Sequence, residues 1–123
     1  MTQPVYIAFE GPEACGKSTQ AQRLAESIGA VLTRETGGTD IGAQLRSILH
    51  DVDTVGLDDH AETLIVAADR AQHLAEVVRP ALERGEHVVS DRSVYSSLAY
   101  QGYGRGLPVD DVRRINEWAI GST

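Results

Sequence analysis

Several residue types are scarce in this 123-residue sequence, and each scarcity excludes a class of protein. The single cysteine, Cys15, excludes an internal disulfide framework, and the histidines at positions 50, 60, 73 and 87 lack zinc-site spacing. No apolar run approaches the ~20 residues that a membrane helix needs, and residues 1–4 lead into a predicted strand instead of a signal peptide. We therefore expect a soluble, cytoplasmic protein without a membrane partner.

Basic residues are outnumbered, with 11 lysines and arginines against 18 aspartates and glutamates, so the formal net charge is -7. Nucleic acid is therefore not an expected partner, since duplex binding relies on a basic surface. A small anionic ligand stays compatible, because it needs only a locally positive pocket. The only lysine in the chain is Lys17. The length, with 41% hydrophobic residues, predicts one domain over residues 1–123.

Hydrophobic patterns predict strands that alternate with helices. The predicted strands are residues 5–9, 30–33 and 87–90. The first helix ends at Gly29, the second is capped by Thr39 or Asp40, and a long third helix opens on a capping box of Asp59 and Glu62. Pro80 is expected to kink or divide that helix, and residues 94–100 are predicted to form another. A last amphipathic helix is marked by Val112, Ile115, Trp118 and Ala119. This order predicts a three-layer α/β fold with a parallel sheet.

Residues 11–18 read GPEACGKS and satisfy the pattern GxxxxGK[ST] between a predicted strand and a predicted helix. Backbone N–H groups of such a loop cradle phosphates, Lys17 reaches the β- and γ-phosphates of ATP, and the Ser18 hydroxyl binds Mg²⁺. Cys15 has no identifiable base partner and is interpreted as a small loop residue. The predicted phosphate-binding residues are Gly11, Pro12, Glu13, Ala14, Cys15, Gly16, Lys17, Ser18 and Thr19.

The loop alone does not separate a kinase from a GTPase or a motor ATPase, because all three grip a triphosphate in this way. No NKxD guanine signature is present. Asp91, at the end of the third strand, is a candidate Mg²⁺ ligand through water. Arg46, Arg70 and Arg92 are candidates to clamp a phosphate or base of a second substrate. Taken alone, Arg46 and Arg70 are also compatible with solvated helix residues.

From about Val5 to Gly121 the chain resembles a thymidylate kinase, a P-loop nucleoside monophosphate kinase. Separated segments carry the resemblance in order: the phosphate loop, residues 33–39 (TRETGGT) with Leu45-Arg46, residues 67–73 (AADRAQH), and Asp91-Arg92 followed by residues 96–102 (SSLAYQG). The resemblance implies ATP and thymidine monophosphate as substrates, Mg²⁺ as cofactor, and a homodimer formed through the long helix.

The resemblance also assigns roles by position. Lys17, Asp91 and Arg92 are the implied catalytic residues, and Ser18 and Asp91 the implied Mg²⁺ ligands. The acceptor nucleotide is expected to meet Glu13 at its 3'-hydroxyl, Arg46 and Arg92 at its phosphate, and Arg70 at the thymine carbonyl. Tyr100 is expected where a ribose 2'-hydroxyl would lie, which favours deoxyribose, and its alternative interpretation is simple core. The remaining implied acceptor residues are Val66, Ser97 and Gln101.

Some positions depart from the family pattern. The family usually has proline at Thr36, an aromatic residue at Ser93, and at Val66 a phenylalanine that stacks on thymine, a contact worth ~1 kcal/mol. A kinase of another nucleoside monophosphate therefore stays open, as does a nucleotide-binding fragment without catalysis. Ala14 puts no arginine in the loop, and the resemblance then expects a catalytic arginine in a later lid. We expect the lid and the C-terminal strands to be absent, and the chain to be truncated at its C-terminus.

We predict that the 123-residue chain binds nucleotide weakly and turns over poorly. Phosphoryl transfer depends on stabilising developing charge, and an arginine supplied at the transition state is worth ~10³ or more in rate. An assay for ATP-dependent formation of thymidine diphosphate checks this expectation. Robust product formation by this chain would contradict it.

Overall fold

The structure, a computed structural model, describes residues 3–10, 16–51, 53–92, 102 and 104–122, without the Lys17 side chain. Within these ranges, no helix is both long and apolar enough to span a membrane. The strands are β1 (Tyr6–Phe9), β2 (Val31–Arg34) and β3 (Val88–Asp91). The helices are α1 (Lys17–Ile28), α2 (Asp40–His50), α3 (Asp59–His73), a π-helical segment (Leu74–Val78), α4 (Arg79–Glu83) and α5 (Val109–Ile120).

The strands form a parallel sheet in the order β1-β3-β2. Phe9 and Arg34 both align with Asp91, so the carboxyl ends of the strands share one edge. The pairing continues past the strands, because the Glu35 amide donates to the Asp91 carbonyl at 3.0 Å and the Arg92 amide donates to the Phe9 carbonyl at 2.8 Å. Arg92, which the sequence predicts to bind the second substrate, directly follows β3 at this edge.

Adjacent residues of β3 face opposite sides of the sheet and build separate cores, as strand geometry requires. Val89 packs with Ala21 and Ala25 of α1. Val88 packs with Leu74 and Val78 of the π-helical segment. Helices therefore cover both faces of the sheet, which confirms the predicted α/β fold.

The long helix is divided near Pro80 by a change in hydrogen bonding. Val78 and Arg79 keep right-handed helical backbone angles, and Pro80 lies in the first turn of α4. Proline lacks the N–H that an uninterrupted α-helix would use there. The π-helical segment ends directly before α4, where the Arg79 amide donates to the Leu74 carbonyl five residues earlier, and the chain stays helical from α3 into α4.

Two details of the sequence interpretation are wrong. The cap of α3 is Asp58, whose Oδ2 accepts from the amides of His60 at 2.9 Å and Ala61 at 3.3 Å, so the predicted box opening at Asp59 is misplaced by one residue. Trp118 is 87% exposed, because α5 buries Val112, Asn116 and Ala119 and turns Trp118 away from that face.

The cap assignment gives a matched pair of variants. Asp58→Ala removes an acceptor for the first amides of α3 and should lower the free energy of unfolding by about 1 kcal/mol. Asp59→Ala, one residue along, should change it by roughly half as much or less, because only a charge near the helix N-terminus is lost. Urea denaturation of both variants checks the assignment, and an equal loss would show that Asp58 is not the principal cap.

Candidate nucleotide-binding site

The contact at the centre of the candidate site joins α1 to the end of β3. The Ser18 hydroxyl donates to Asp91 Oδ2 at 2.7 Å, across 73 positions of the sequence. Asp91 faces the α1 side of the sheet because it follows Val89 by two residues. The predicted Mg²⁺ ligands, Ser18 and Asp91, therefore lie together.

A cleft of about 440 Å³ opens beside this contact. Its lining comes from α1, from β2 with the segment that follows it, and from β3. The lining residues are Ser18, Ala21, Gln22, Leu32, Thr33, Arg34, Gly37, Gly38 and Asp91. The cleft is thus bounded by the helix of the phosphate loop and by residues of the TRETGGT segment.

Gly16 directly precedes α1 with φ 83°, in the left-handed region. Glycine adopts this conformation without the Cβ penalty of other residues, which gives the second glycine of GxxxxGK[ST] a local reason. Thr19 follows in the first turn of α1 and is exposed. The predicted phosphate-binding residues 11–15 and the side chain of Lys17 lie outside the described part of the chain.

Arg92 directly follows β3 and has φ 76°, an uncommon conformation for a residue with a side chain. Its carbonyl accepts the Ser90 hydroxyl at 2.9 Å, and its amide donates to Phe9. Such backbone outliers concentrate at functional sites and persist where surrounding contacts impose them. The geometry therefore singles out the position that the sequence assigned to phosphate binding.

Arg46, half-buried on α2, is held by the segment after β2. Its Nη1 donates to the carbonyl and to the Oγ1 of Thr36, both at 3.3 Å. A proline at position 36 would lack this hydroxyl contact. The guanidinium is thereby anchored to the same segment that lines the cleft.

Arg70 is 3% exposed, so its alternative interpretation as a solvated helix residue is wrong. Its Nε donates to Glu35 Oε1 at 2.7 Å, and its Nη1 donates to Asn116 Oδ1 of α5. Burying a charged guanidinium requires such partners, because removal from water is costly. The structure therefore places Arg70 inside the protein, where α3 meets the segment after β2.

Sequence reasoning assigned no role to a set of buried polar side chains around Arg70. His73 is fully buried, with Nδ1 2.9 Å from Glu35 Oε2 and Nε2 2.6 Å from Thr33 Oγ1. The sequence does contain a signal for the burial of Arg70. Position 70 falls at helical intervals between the apolar residues Ala67 and Leu74, and therefore lies on the same helix face. A charged residue at such a core position predicts a buried partner.

Burial also perturbs two ionisable groups in this region. It raises the pKa of Tyr6 to about 12, and the Glu35 carboxylate adds to the effect. It raises the pKa of Asp69 above its ordinary value, against the lowering effect of the hydrogen bond from the Gly37 amide, which is 2.9 Å long. Asp69 is fully buried, and its Oδ2 has no hydrogen-bond partner among the described residues.

The remaining predicted acceptor residues are only partly described. Val66 lies on α3 one turn before Arg70 and is half-buried. Glu13, Ser93, Ser97, Tyr100 and Gln101 lie outside the described residues. Within the described ranges, no group of three or more histidine, cysteine, aspartate or glutamate side chains is arranged to hold a metal ion.

The parallel sheet covered on both faces, the motif leading into α1 and the aspartate ending β3 are together typical of the class of three-layer α/β proteins that bind nucleotides through a phosphate loop. The family model described as thymidylate kinase matches residues 9–122. The chain belongs to the thymidylate kinase family, which confirms the resemblance drawn from its motifs.

Individual relatives give the same result. A thymidylate kinase of Halothermothrix orenii is 48% identical over 121 residues, or 94% of this chain and 58% of the relative. A thymidylate kinase of Desulfovibrio desulfuricans is 49% identical over 122 residues, or 95% of this chain and 56% of the relative. The crystal structure of thymidylate kinase from Ehrlichia chaffeensis aligns with a TM-score of 0.92 at 34% identity, covering 99% of this chain and 73% of that chain. The chain thus spans less than two thirds of the length of the Halothermothrix orenii and Desulfovibrio desulfuricans relatives.

The raised pKa of Asp69 predicts a specific pH dependence of stability. The folded state holds this proton more tightly than the unfolded chain, so Asp69 stabilises most below its ordinary pKa of 3.8. That contribution declines as pH rises from 3.8 through the raised folded value. The stability of Asp69→Asn relative to the unsubstituted protein should therefore increase with pH over this interval.

Urea denaturation at a series of pH values measures this trend, and Glu86→Gln is its control. The pKa of Glu86 is lowered by the hydrogen bond from Arg84, so its small contribution has the opposite sign and is lost as pH falls. A stability difference for Asp69→Asn that stays constant with pH would contradict the burial argument.

Proposed function

We propose that this protein transfers the γ-phosphoryl group of ATP to thymidine monophosphate, a step in deoxynucleotide biosynthesis. The observation that carries the proposal is the Ser18–Asp91 contact, which joins the phosphate-loop helix to the end of β3 at the wall of the cleft. Membership of the thymidylate kinase family supports the choice of substrates.

The chemistry of these side chains fits Mg²⁺. It is a hard cation that prefers oxygen ligands and is usually bound through one or two carboxylates together with waters and substrate phosphates. A hydroxyl and a carboxylate 2.7 Å apart provide that kind of donor set without a dedicated protein cage. Ser18 and Asp91 would hold the ion, which when bound neutralises charge on the phosphates.

The remaining roles concern positioning. Lys17 would bind the β- and γ-phosphates of ATP, and Arg46 and Arg92 would hold the phosphate of the acceptor nucleotide. The hydrogen bonds from Arg46 to Thr36 support this role, because they limit the conformations of the guanidinium before a ligand binds. The backbone contacts of Arg92 with Ser90 and Phe9 support this role as well, because they fix its position directly after β3. Arg70 is buried on Glu35 and Asn116 and does not line the described cleft, so its predicted contact with the acceptor base would require the guanidinium to leave those contacts.

A kinase of another nucleoside monophosphate is the second candidate. Val66 favours it, because an aliphatic side chain at that half-buried position provides no ring to stack on a base. Titration with thymidine, uridine and cytidine monophosphates compares the candidates. Binding of uridine or cytidine monophosphate as tight as that of thymidine monophosphate would favour the second.

Calorimetric titration with ATP, in Mg²⁺ and in EDTA, tests the donor site without requiring turnover. Ser18→Ala should weaken binding of MgATP by about tenfold, the loss of one charge-assisted contact, and leave binding of metal-free ATP nearly unchanged. Lys17→Ala should weaken binding under both conditions, because it removes a cation from the phosphates.

The matched control is Ser47→Ala, which alters an exposed serine of α2. It should change neither titration. A Ser18→Ala protein that binds MgATP as tightly as the unsubstituted chain would exclude the proposed metal site. Tolerance of Lys17→Ala would instead favour a scaffold over an enzyme.

A further inference from the structure

A chain of polar contacts begins at the cleft and runs into the interior. Thr33 lines the cleft, and its Oγ1 lies 2.6 Å from His73 Nε2. The other ring nitrogen of His73 lies 2.9 Å from Glu35 Oε2. Thr33 reaches His73 because its side chain lies on the α3 side of the sheet, opposite the α1 side occupied by Asp91.

The same chain continues to the last helix. Glu35 Oε1 accepts from Arg70 Nε at 2.7 Å, and Arg70 Nη1 donates to Asn116 Oδ1. Asn116 is itself fixed, because its Nδ2 donates to the Val112 carbonyl at 2.8 Å, one turn earlier in α5. We call these contacts, from Thr33 through His73, Glu35 and Arg70 to Asn116, the polar relay.

The relay is almost inaccessible to solvent. The exposed fraction is zero for His73 and Asn116, 3% for Arg70 and 5% for Glu35. In such surroundings water does not replace a lost partner, so removing one contact leaves the neighbouring polar group unsatisfied. A change at Asn116 is therefore transmitted to Arg70 and Glu35.

The cleft end of the relay is a tightly packed wall, residues 33–38. A Cβ at Gly38 would lie 2.4 Å from the Arg34 carbonyl oxygen and 3.1 Å from His73 Cδ2. Gly38 therefore packs closely against the Arg34 carbonyl and the His73 ring, with no space for a side chain at this position. The wall also carries Thr36, the anchor of Arg46, so the position of the wall sets that of the Arg46 guanidinium.

We propose that Asn116 is a positioning residue for the acceptor side of the cleft, the part that would bind the nucleoside monophosphate. It acts through Arg70 and Glu35, which hold the wall at residues 33–38 in place. The inference rests on the proposed function, because it takes Arg46 as a ligand of the acceptor phosphate. The donor side depends on Ser18 and on the Asp91 side chain, both on the α1 side of the sheet, and the relay meets Asp91 only at its backbone carbonyl, which accepts from the Glu35 amide. Asn116 should therefore affect the two nucleotides differently.

Titration of three variants with thymidine monophosphate and with MgATP tests this selectivity. Asn116→Leu removes one hydrogen-bond acceptor of Arg70 and should weaken monophosphate binding by about tenfold, with MgATP binding changed by about twofold at most. Asn116→Asp keeps an oxygen for Arg70 and should bind the monophosphate to within about threefold of the unsubstituted chain. Glu117→Gln, an exposed neighbour, is the control and should change neither affinity.

Amide hydrogen exchange gives a readout that needs no ligand. The Glu35 amide, bonded to Asp91, and the Gly37 amide, bonded to Asp69, report on the wall. Both should exchange faster in Asn116→Leu but not in Asn116→Asp. The Ala30 amide, bonded to Ala25 at the end of α1, is the reference and should not change.

Equal weakening of both nucleotides, or equal acceleration of all these amides, would overturn the inference in favour of general destabilisation. Unchanged wall amides would overturn it as well. If the unsubstituted chain binds neither nucleotide, the proposed function fails and the inference about the cleft's acceptor side fails with it. Selective exchange at the wall would then still show that Asn116 positions residues 33–38.

Discussion

The buried carboxylate of Glu35 is the interaction on which the arrangement of this protein depends. One oxygen accepts from Arg70 at 2.7 Å, and the other lies 2.9 Å from a ring nitrogen of His73. Removing one member of a buried ionic group typically destabilises by about 3–5 kcal/mol, because the others stay buried without compensation. Glu35 thereby ties α3 to the segment that follows β2.

The alternation of side chains along the sheet explains why two polar systems coexist at one edge. Asp91 faces α1 and meets Ser18, whereas Thr33 faces α3 and meets His73. The sheet separates the proposed Mg²⁺ ligands from the buried relay while keeping both within reach of the cleft.

Much of the fold was predictable because its signals are local. Each strand lies within one residue of its predicted bounds, and Gly29 ends α1 in the left-handed conformation that such a cap requires. Among the site residues, the contact of Ser18 with Asp91 follows from a motif and a strand end, both readable along the chain. The errors at Asp58 and Trp118 arose where adjacent residues carried nearly equivalent signals and only packing distinguished them.

The sequence by itself determined the alternation of strands and helices, the phosphate-loop pattern and the family, because each is carried by contiguous residues or by motifs in order. Only the tertiary structure decided that Arg70 is buried between Glu35 and Asn116 and that Arg46 is anchored on Thr36. Arg70 is separated along the chain by 35 residues from Glu35 and by 46 residues from Asn116. Its contacts with them form only when α3, α5 and the sheet pack together. Periodicity places a side chain on a helix face, but the element packed against that face supplies its partner.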